Sequence, residues 1–134
     1  MGAVKGWFNV WLDYIKEAYG ALRGGKALDG GAFGGRVSFR RFWTYALVTL
    51  VIAIALSVID AVIFVKILGI GITPFSSLFA LATLIPSISA EIRRMHDIGK
   101  VGWWILVPFY DIYLWLQKGD EGENAYGKVP TDAA

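Results

Sequence analysis

The residues of this chain with the most chemical potential fall in one short run, Arg93-Arg94-Met95-His96-Asp97-Ile98-Gly99-Lys100-Val101-Gly102-Trp103-Trp104. Asp97 can accept from the imidazole of His96 and set its tautomer, an arrangement used by general bases and proton relays. No serine nucleophile or metal-ligand set accompanies the pair. His96 is the only histidine, so a multi-histidine metal site within one chain is excluded. Cysteine is absent, which removes thiol catalysis and disulfides. The expectation is a protein that is not an enzyme and uses no cofactor and no metal. Its polar run then forms a turn whose arginines meet lipid phosphates. With Arg36 and Arg40, the residues Arg93, Arg94, His96 and Asp97 make up the candidate site for an anionic lipid headgroup or a membrane partner.

Three acids lie within or at the ends of apolar stretches. Glu91 is expected to pair with Arg93, Arg94 or Arg40, and Asp60, near the far end of its stretch, to be solvated. Asp111 lies about 15 Å into the last apolar segment, near mid-bilayer, where an ionised carboxylate costs roughly 3 kcal/mol. Asp111 is therefore the candidate intramembrane proton or ion site, unless that segment is shallower. Two stripes of small and hydroxylated residues accompany it: Ala46, Thr49, Ala53, Ser57 and Asp60, and Ser76, Ala80, Thr83, Ser87 and Ala90. Such stripes suit close helix packing in lipid. The sharper alternative is a polar path lined by Thr49, Ser57, Thr83 and Ser87. That path would make the chain an oligomeric transporter or channel subunit.

The elements that carry these residues follow from composition. Of 134 residues, 56% are hydrophobic and 15% aromatic, with a mean hydropathy of +0.53. That is too apolar for an ordinary soluble domain of this size, and the expected solvent is a bilayer. Apolar stretches over 42–64, 74–92 and 101–116 are the expected spans. The third, at 16 residues, reaches only about 24 Å of a core near 30 Å. Pro74 suits a helix start, and Pro86 should kink its helix. Before them, Trp7, Trp11, Tyr14, Ile15, Ala18 and Leu22 recur at helical spacing opposite Asn9, Asp13, Lys16 and Gly20, which predicts an amphipathic helix in the membrane interface. A connection containing six glycines follows, to Gly35.

The fold class is therefore all-α, a three-helix transmembrane bundle with an N-terminal amphipathic interfacial helix. It divides into 1–35 (helix and glycine-rich linker), 36–118 (transmembrane domain) and 119–134 (an acidic, turn-rich tail whose carboxylate spacing does not match a calcium-binding EF-hand loop). Three spans leave Lys66, Lys118 and Lys128 on one side and ten cations on the other, which predicts a cytoplasmic N-terminus and an exported tail. If the third segment only dips into the membrane, the tail returns to the cytoplasm. A net charge of +2 gives no reason to expect nucleic acid. The expected partners are the bilayer with its anionic headgroups, a second copy, or another membrane protein.

Three separated motifs together resemble the bacterial membrane family known as domain of unknown function 805. Phe33, Gly35, Arg36, Ser38, Phe42 and Trp43 resemble its first motif, Arg94, Met95, His96, Asp97, Gly102, Trp103 and Trp104 its second, and Gly122, Asn124, Tyr126, Gly127 and Pro130 its third. Phe39 stands where that family commonly has arginine, and Arg41 where it often has glutamate. The resemblance implies a small, multi-pass bacterial inner-membrane helical protein with no established activity.

Overall fold

The computed structural model describes residues 2–23 and 34–130. The glycine-rich connection lies outside them apart from Gly34 and Gly35, as do Lys26, Phe33 and residues 131–134, and so do the side chains of Lys5 and Leu22. The described chain is all-helical: α1 (Gly2–Arg23), α2 (Phe39–Asp60), α3 (Pro74–Asp97) and α4 (Tyr110–Trp115). A π-wound extension, Ala61–Ile67, prolongs α2.

Local chemistry sets the helix ends. Ser38 is extended and its hydroxyl accepts from the Arg41 amide at 3.1 Å, satisfying one of the amides that the first turn of a helix leaves unpaired. Pro74 opens α3, but Thr73 offers no side-chain cap. The cap comes from α2: the Asp60 carboxylate accepts from the amides of Phe75 (3.1 Å) and Ser76 (2.8 Å) and from the Ser76 hydroxyl (2.7 Å). Asp60, expected to be solvated, is instead buried and ties the two helices together at their far end. An acid is favoured there because the N-terminus of a helix carries partial positive charge.

Two helices are long and apolar enough to cross a membrane. The α2 helix with its extension has 29 residues, with a mean hydropathy of 2.8, and α3 has 24, with a mean hydropathy of 1.5. At 1.5 Å per residue they reach about 43 and 36 Å, beyond the roughly 30 Å of a bilayer core. Only 6% and 22% of their apolar windows are buried within the protein. Leu50, Val51, Ile54, Val58, Leu78 and Leu81 all face outward, a continuous apolar surface that a soluble protein would cover.

The third expected span does not form as one helix. A 3₁₀ turn, Gly102–Leu106, is followed by an extended Val107, by Pro108, and by Phe109 at φ 68° before the six residues of α4. Pro108 is the cause, because proline disfavours a helical residue before it. The three-helix transmembrane bundle therefore gives way to an α2–α3 hairpin with a broken third segment. The chain after α4 returns to the end of the hairpin where α2 begins and α3 ends.

Helix α1 packs on both members of the hairpin through Trp11, Tyr14 and Ala18, which are buried. Trp11 Nε1 donates to Thr49 Oγ1 at 2.9 Å, Tyr14 and Ser89 share a hydrogen bond of 2.9 Å, and the Tyr19 hydroxyl donates to the Ala82 carbonyl. The helix expected in the membrane interface packs on its own hairpin. Trp11, Tyr14, Val37, Phe42, Tyr45 and Ala90 form the core. These contacts also consume the hydroxyl stripes: Thr49 serves Trp11, Ser87 serves Tyr45 at 2.9 Å, Ser76 serves Asp60, and Thr83 donates to Phe79 in its own helix at 2.8 Å. Thr49 and Ser87 thus hold ring groups of α1 and α2, and Ser57 faces outward.

Candidate functional site

Described residues from each of the three motifs meet where α3 ends. Helix α3 closes with Gly99 at φ 77°; the Gly99 amide donates to the His96 carbonyl at 3.0 Å and the Lys100 amide to the Met95 carbonyl at 2.8 Å. This paired closure needs a left-handed residue, which glycine provides. Asp97, the last residue of α3, is thereby held at a fixed point.

Two buried arginines hold Asp97. Arg36 Nε donates to Oδ1 at 2.9 Å, and Arg94 Nη1 donates to Oδ2. Arg36 then spends its remaining donors on carbonyl groups: Nη1 on Gly122 (2.8 Å) and Gly127 (3.2 Å), Nη2 on Asp120 (2.7 Å) and Asp97 (3.4 Å). All five guanidinium N–H groups are used. Arg94, fully buried, donates also to the carbonyls of Trp115 and Gln117 and lies over the Phe39 ring. These two arginines bind the end of α3, the start of α2, the end of α4 and the tail into one unit. The Asp120 amide adds a bond to the Asp97 carbonyl at 2.8 Å. Gly119 is required here, because a Cβ on it would stand 2.1 Å from Asp97 Oδ2.

The His96–Asp97 dyad does not form. Successive residues on a helix point about 100° apart, so Asp97 turns to the arginines while His96 turns to the loop before α2. His96 Nδ1 meets the Gly35 carbonyl at 2.8 Å, and its ring stacks on Tyr126 with centroids 4.0 Å apart and planes at 2°. Asn124 Nδ2 donates to the His96 carbonyl at 2.9 Å and to Asp120 at 2.8 Å. Among the described residues no serine or threonine bonds to the imidazole. Among the described residues no group of three metal-ligating side chains is present.

The remaining arginines divide. Arg93 and Arg41 both pair with Glu17 of α1, the first at 3.0 Å, and flank the Tyr14 ring at 5.5 and 4.9 Å. Burial opposes ionisation of Glu17, but the two guanidiniums outweigh it and hold the carboxyl below its ordinary value. Burial raises the Tyr14 phenol, against the pull of Arg93. Arg40 is exposed and makes no ion pair among the described residues.

Two acids also differ from expectation. Glu91 pairs with none of Arg40, Arg93 and Arg94, since Arg93 and Arg94 are committed elsewhere. Asp111 sits in the first turn of α4, where its carboxylate accepts from the adjacent Ile112 amide at 2.7 Å. It stands about one helical turn, roughly 5 Å, from Trp115, whose carbonyl is bound by Arg94 and by Trp43 Nε1 at 3.0 Å. Asp111 therefore lies near the arginine-rich end of the hairpin, the shallower of the two placements expected for it.

Sequence reasoning placed Arg36, Arg94, His96 and Asp97 in one neighbourhood, and the structure brings them together. It grouped Arg93 and Arg40 with them: Arg93 adjoins them, donating to the Arg36 carbonyl at 3.2 Å while pairing with Glu17, whereas Arg40 makes no ion pair among the described residues. It missed Gly119, Glu17 and the carbonyls of the tail; of these, only the acid of α1, set among cations near the ends of the spans, left a readable signal.

The family described as protein of unknown function (DUF805) matches residues 31–128. Inner membrane protein YhaI of Escherichia coli (strain K12) is 31% identical over 105 residues, covering 73% of this chain and 85% of its own length. Inner membrane protein YhaH of the same strain is 26% identical over 106 residues, covering 73% and 86%. No solved structure matches the chain.

Proposed function

We propose that this chain, which belongs to the DUF805 family of inner-membrane proteins of unknown function, is a two-pass, non-enzymatic accessory protein whose cytoplasmic, cationic end binds anionic lipid headgroups. The observation that carries this reading is the distribution of charge on the hairpin. Of 13 lysines and arginines, Lys66 alone lies toward the end of the hairpin where the first candidate span gives way to the second. Such a bias favours the cationic end on the cytoplasmic side, with the N-terminus and the tail both there.

Headgroup contact falls to cations whose donors are free. Arg36 and Arg94 are buried and saturated, and Arg93 and Arg41 serve Glu17. Arg40 and Lys128 are exposed, and Lys100 lies over Trp104 at 5.7 Å. Trp103 and Phe109, on the broken third segment, are 77% and 84% exposed, which suits side chains dipping into an interface. Near an anionic leaflet each such cation is worth about 1 kcal/mol, so three give about 3 kcal/mol, roughly a hundredfold in affinity. His96, Asp97 and the two buried arginines fix the shape of this end and do not touch lipid.

The test is lipid retention measured by native mass spectrometry after release from membranes, with paired cytoplasmic and exported reporters fused after Ala134. The expected result is a cytoplasmic tail and retained phosphatidylglycerol that falls at least tenfold in the combined Arg40→Gln, Lys100→Gln, Lys128→Gln variant. An exported tail, or retention unchanged by the three substitutions, overturns the reading.

A further inference from the structure

A cleft of about 590 Å³ opens between α2, α3 and α4, within the roughly 300–1,000 Å³ typical of small-molecule sites. Its walls include Phe42, Trp43, Tyr45 and Trp115, with Ala46 at the α2 side and the carboxylate of Glu91 from α3. Glu91 is half-buried. Among the described residues it makes neither hydrogen bond nor ion pair, although Arg93 and Arg94 follow it closely in sequence. Both are held elsewhere, by Glu17 and by Asp97. The charge that acts on Glu91 is a like one, Asp111 of α4. Glu91 also lines a second cleft, with Ile88, Ile92, Trp103 and Leu106.

An unpartnered carboxylate among apolar walls is costly, and a positive charge delivered to it relieves that cost. The walls restrict which cation can come. They offer aromatic faces, which attract cations electrostatically, and few polar groups to replace the water around a small hydrated ion. A cation that carries its own apolar surface loses little water and gains both contacts. We propose that this cleft is a binding site for lipophilic monovalent cations, of the quaternary ammonium or phosphonium class, with Glu91 as the counter-ion and the four aromatic rings as the walls.

The experiment uses the full chain in nanodiscs of phosphatidylcholine at pH 8, with equilibrium dialysis of tetraphenylphosphonium and, as a probe of the same shape and opposite charge, tetraphenylborate. Saturable binding of one tetraphenylphosphonium per chain is expected, with quenching of tryptophan fluorescence and no saturable site for tetraphenylborate. Glu91→Gln removes the charge at constant size and should weaken binding at least tenfold. Ala46→Phe fills the cleft on the opposite wall while leaving Glu91 intact, and should do the same. Circular dichroism and elution volume confirm that each variant is folded. Equal saturable binding of the two probes, unchanged binding in Glu91→Gln or in Ala46→Phe, or no saturable phosphonium site in the unaltered chain each overturns the proposal.

Discussion

Replacing Arg36 by lysine keeps the charge and removes the fork, so it isolates what the guanidinium geometry contributes. Arg36 makes five hydrogen bonds, one to Asp97 Oδ1 and four to the carbonyls of Asp97, Asp120, Gly122 and Gly127. An ammonium has three donors, so at least two of these bonds are lost. Hydrogen bonds to a charged group contribute about 1.5–3 kcal/mol each, which puts the loss at about 3–6 kcal/mol. The tail carbonyls lie near the surface, where water can replace the lost donor, so the lower figure applies. About 3 kcal/mol is roughly a hundredfold in the equilibrium for detaching the tail, at 1.4 kcal/mol per tenfold. Hydrogen exchange reads that equilibrium directly, because the Asp120 amide is bound to the Asp97 carbonyl and the Asn124 and Gly127 amides to each other's carbonyls. These amides should exchange about a hundredfold faster in Arg36→Lys through local opening, while those in the middle of α2 and α3 keep their rates. Arg40→Lys should change nothing. Exchange at Asp120 within threefold of the unaltered chain would refute the idea that one arginine holds the tail.

The docking of α1 should depend on pH through Glu17. Its pKa is lowered on folding, so the stabilisation is present above the ordinary value of 4.5 and is lost as pH falls through the lower folded value. Energy transfer from Trp11 to an acceptor dye near α3 should hold from pH 8 to 5 and fall below that, and Glu17→Gln should weaken docking at all pH and abolish the acid transition; an unchanged transition in that variant removes Glu17 as its cause. Gly119→Ala places a methyl against Asp97 Oδ2, which Arg94 prevents from moving aside. Overpacking of this kind costs about 1–3 kcal/mol, whereas Gly122→Ala meets nothing within 4 Å and should be neutral. Equal thermal stability of the two glycine variants in detergent would show that Asp97 is not held as described.

What could be read from the sequence follows physical lines. The two long helices were legible because a bilayer demands an apolar run that no turn interrupts, and α2 and α3 supply it. The third was misread because 101–116 has the composition of a span; Pro108, the visible signal against a single helix, acts on the backbone and not on composition. His96 and Asp97 read as a pair because they are neighbours in sequence, and the helix separates them for the same reason. The partners of Arg36 were invisible, since every residue has a carbonyl and nothing in Gly122 or Gly127 marks it as an acceptor. Asp60 was placed correctly at the far end of α2, but its role depends on α3 starting beside it, which only the tertiary fold decides.

The arginines and carboxylates of the hairpin sort by how completely the protein satisfies them. An arginine at a helix end faces a choice between lipid phosphates and the carbonyls that the helix leaves unpaired. Arg36 and Arg94 take the carbonyls and are closed to outside partners. Arg40, free of both, remains open. The same division runs through the three acids that α2 and α3 carry. Asp60 caps a helix and Asp97 binds two guanidiniums, each with its acceptors occupied. Glu91 has no donor among the described residues, although Arg94 lies a single helical turn along the same helix. Asp97 takes Arg94 because the side chains of α3 at positions 94 and 97 point to the tail, while Glu91 points to the cleft beneath α4. The network that builds the cationic end thus draws off the cations that would otherwise neutralise Glu91, and the unsatisfied charge in the cleft is a consequence of how completely Asp97 is satisfied.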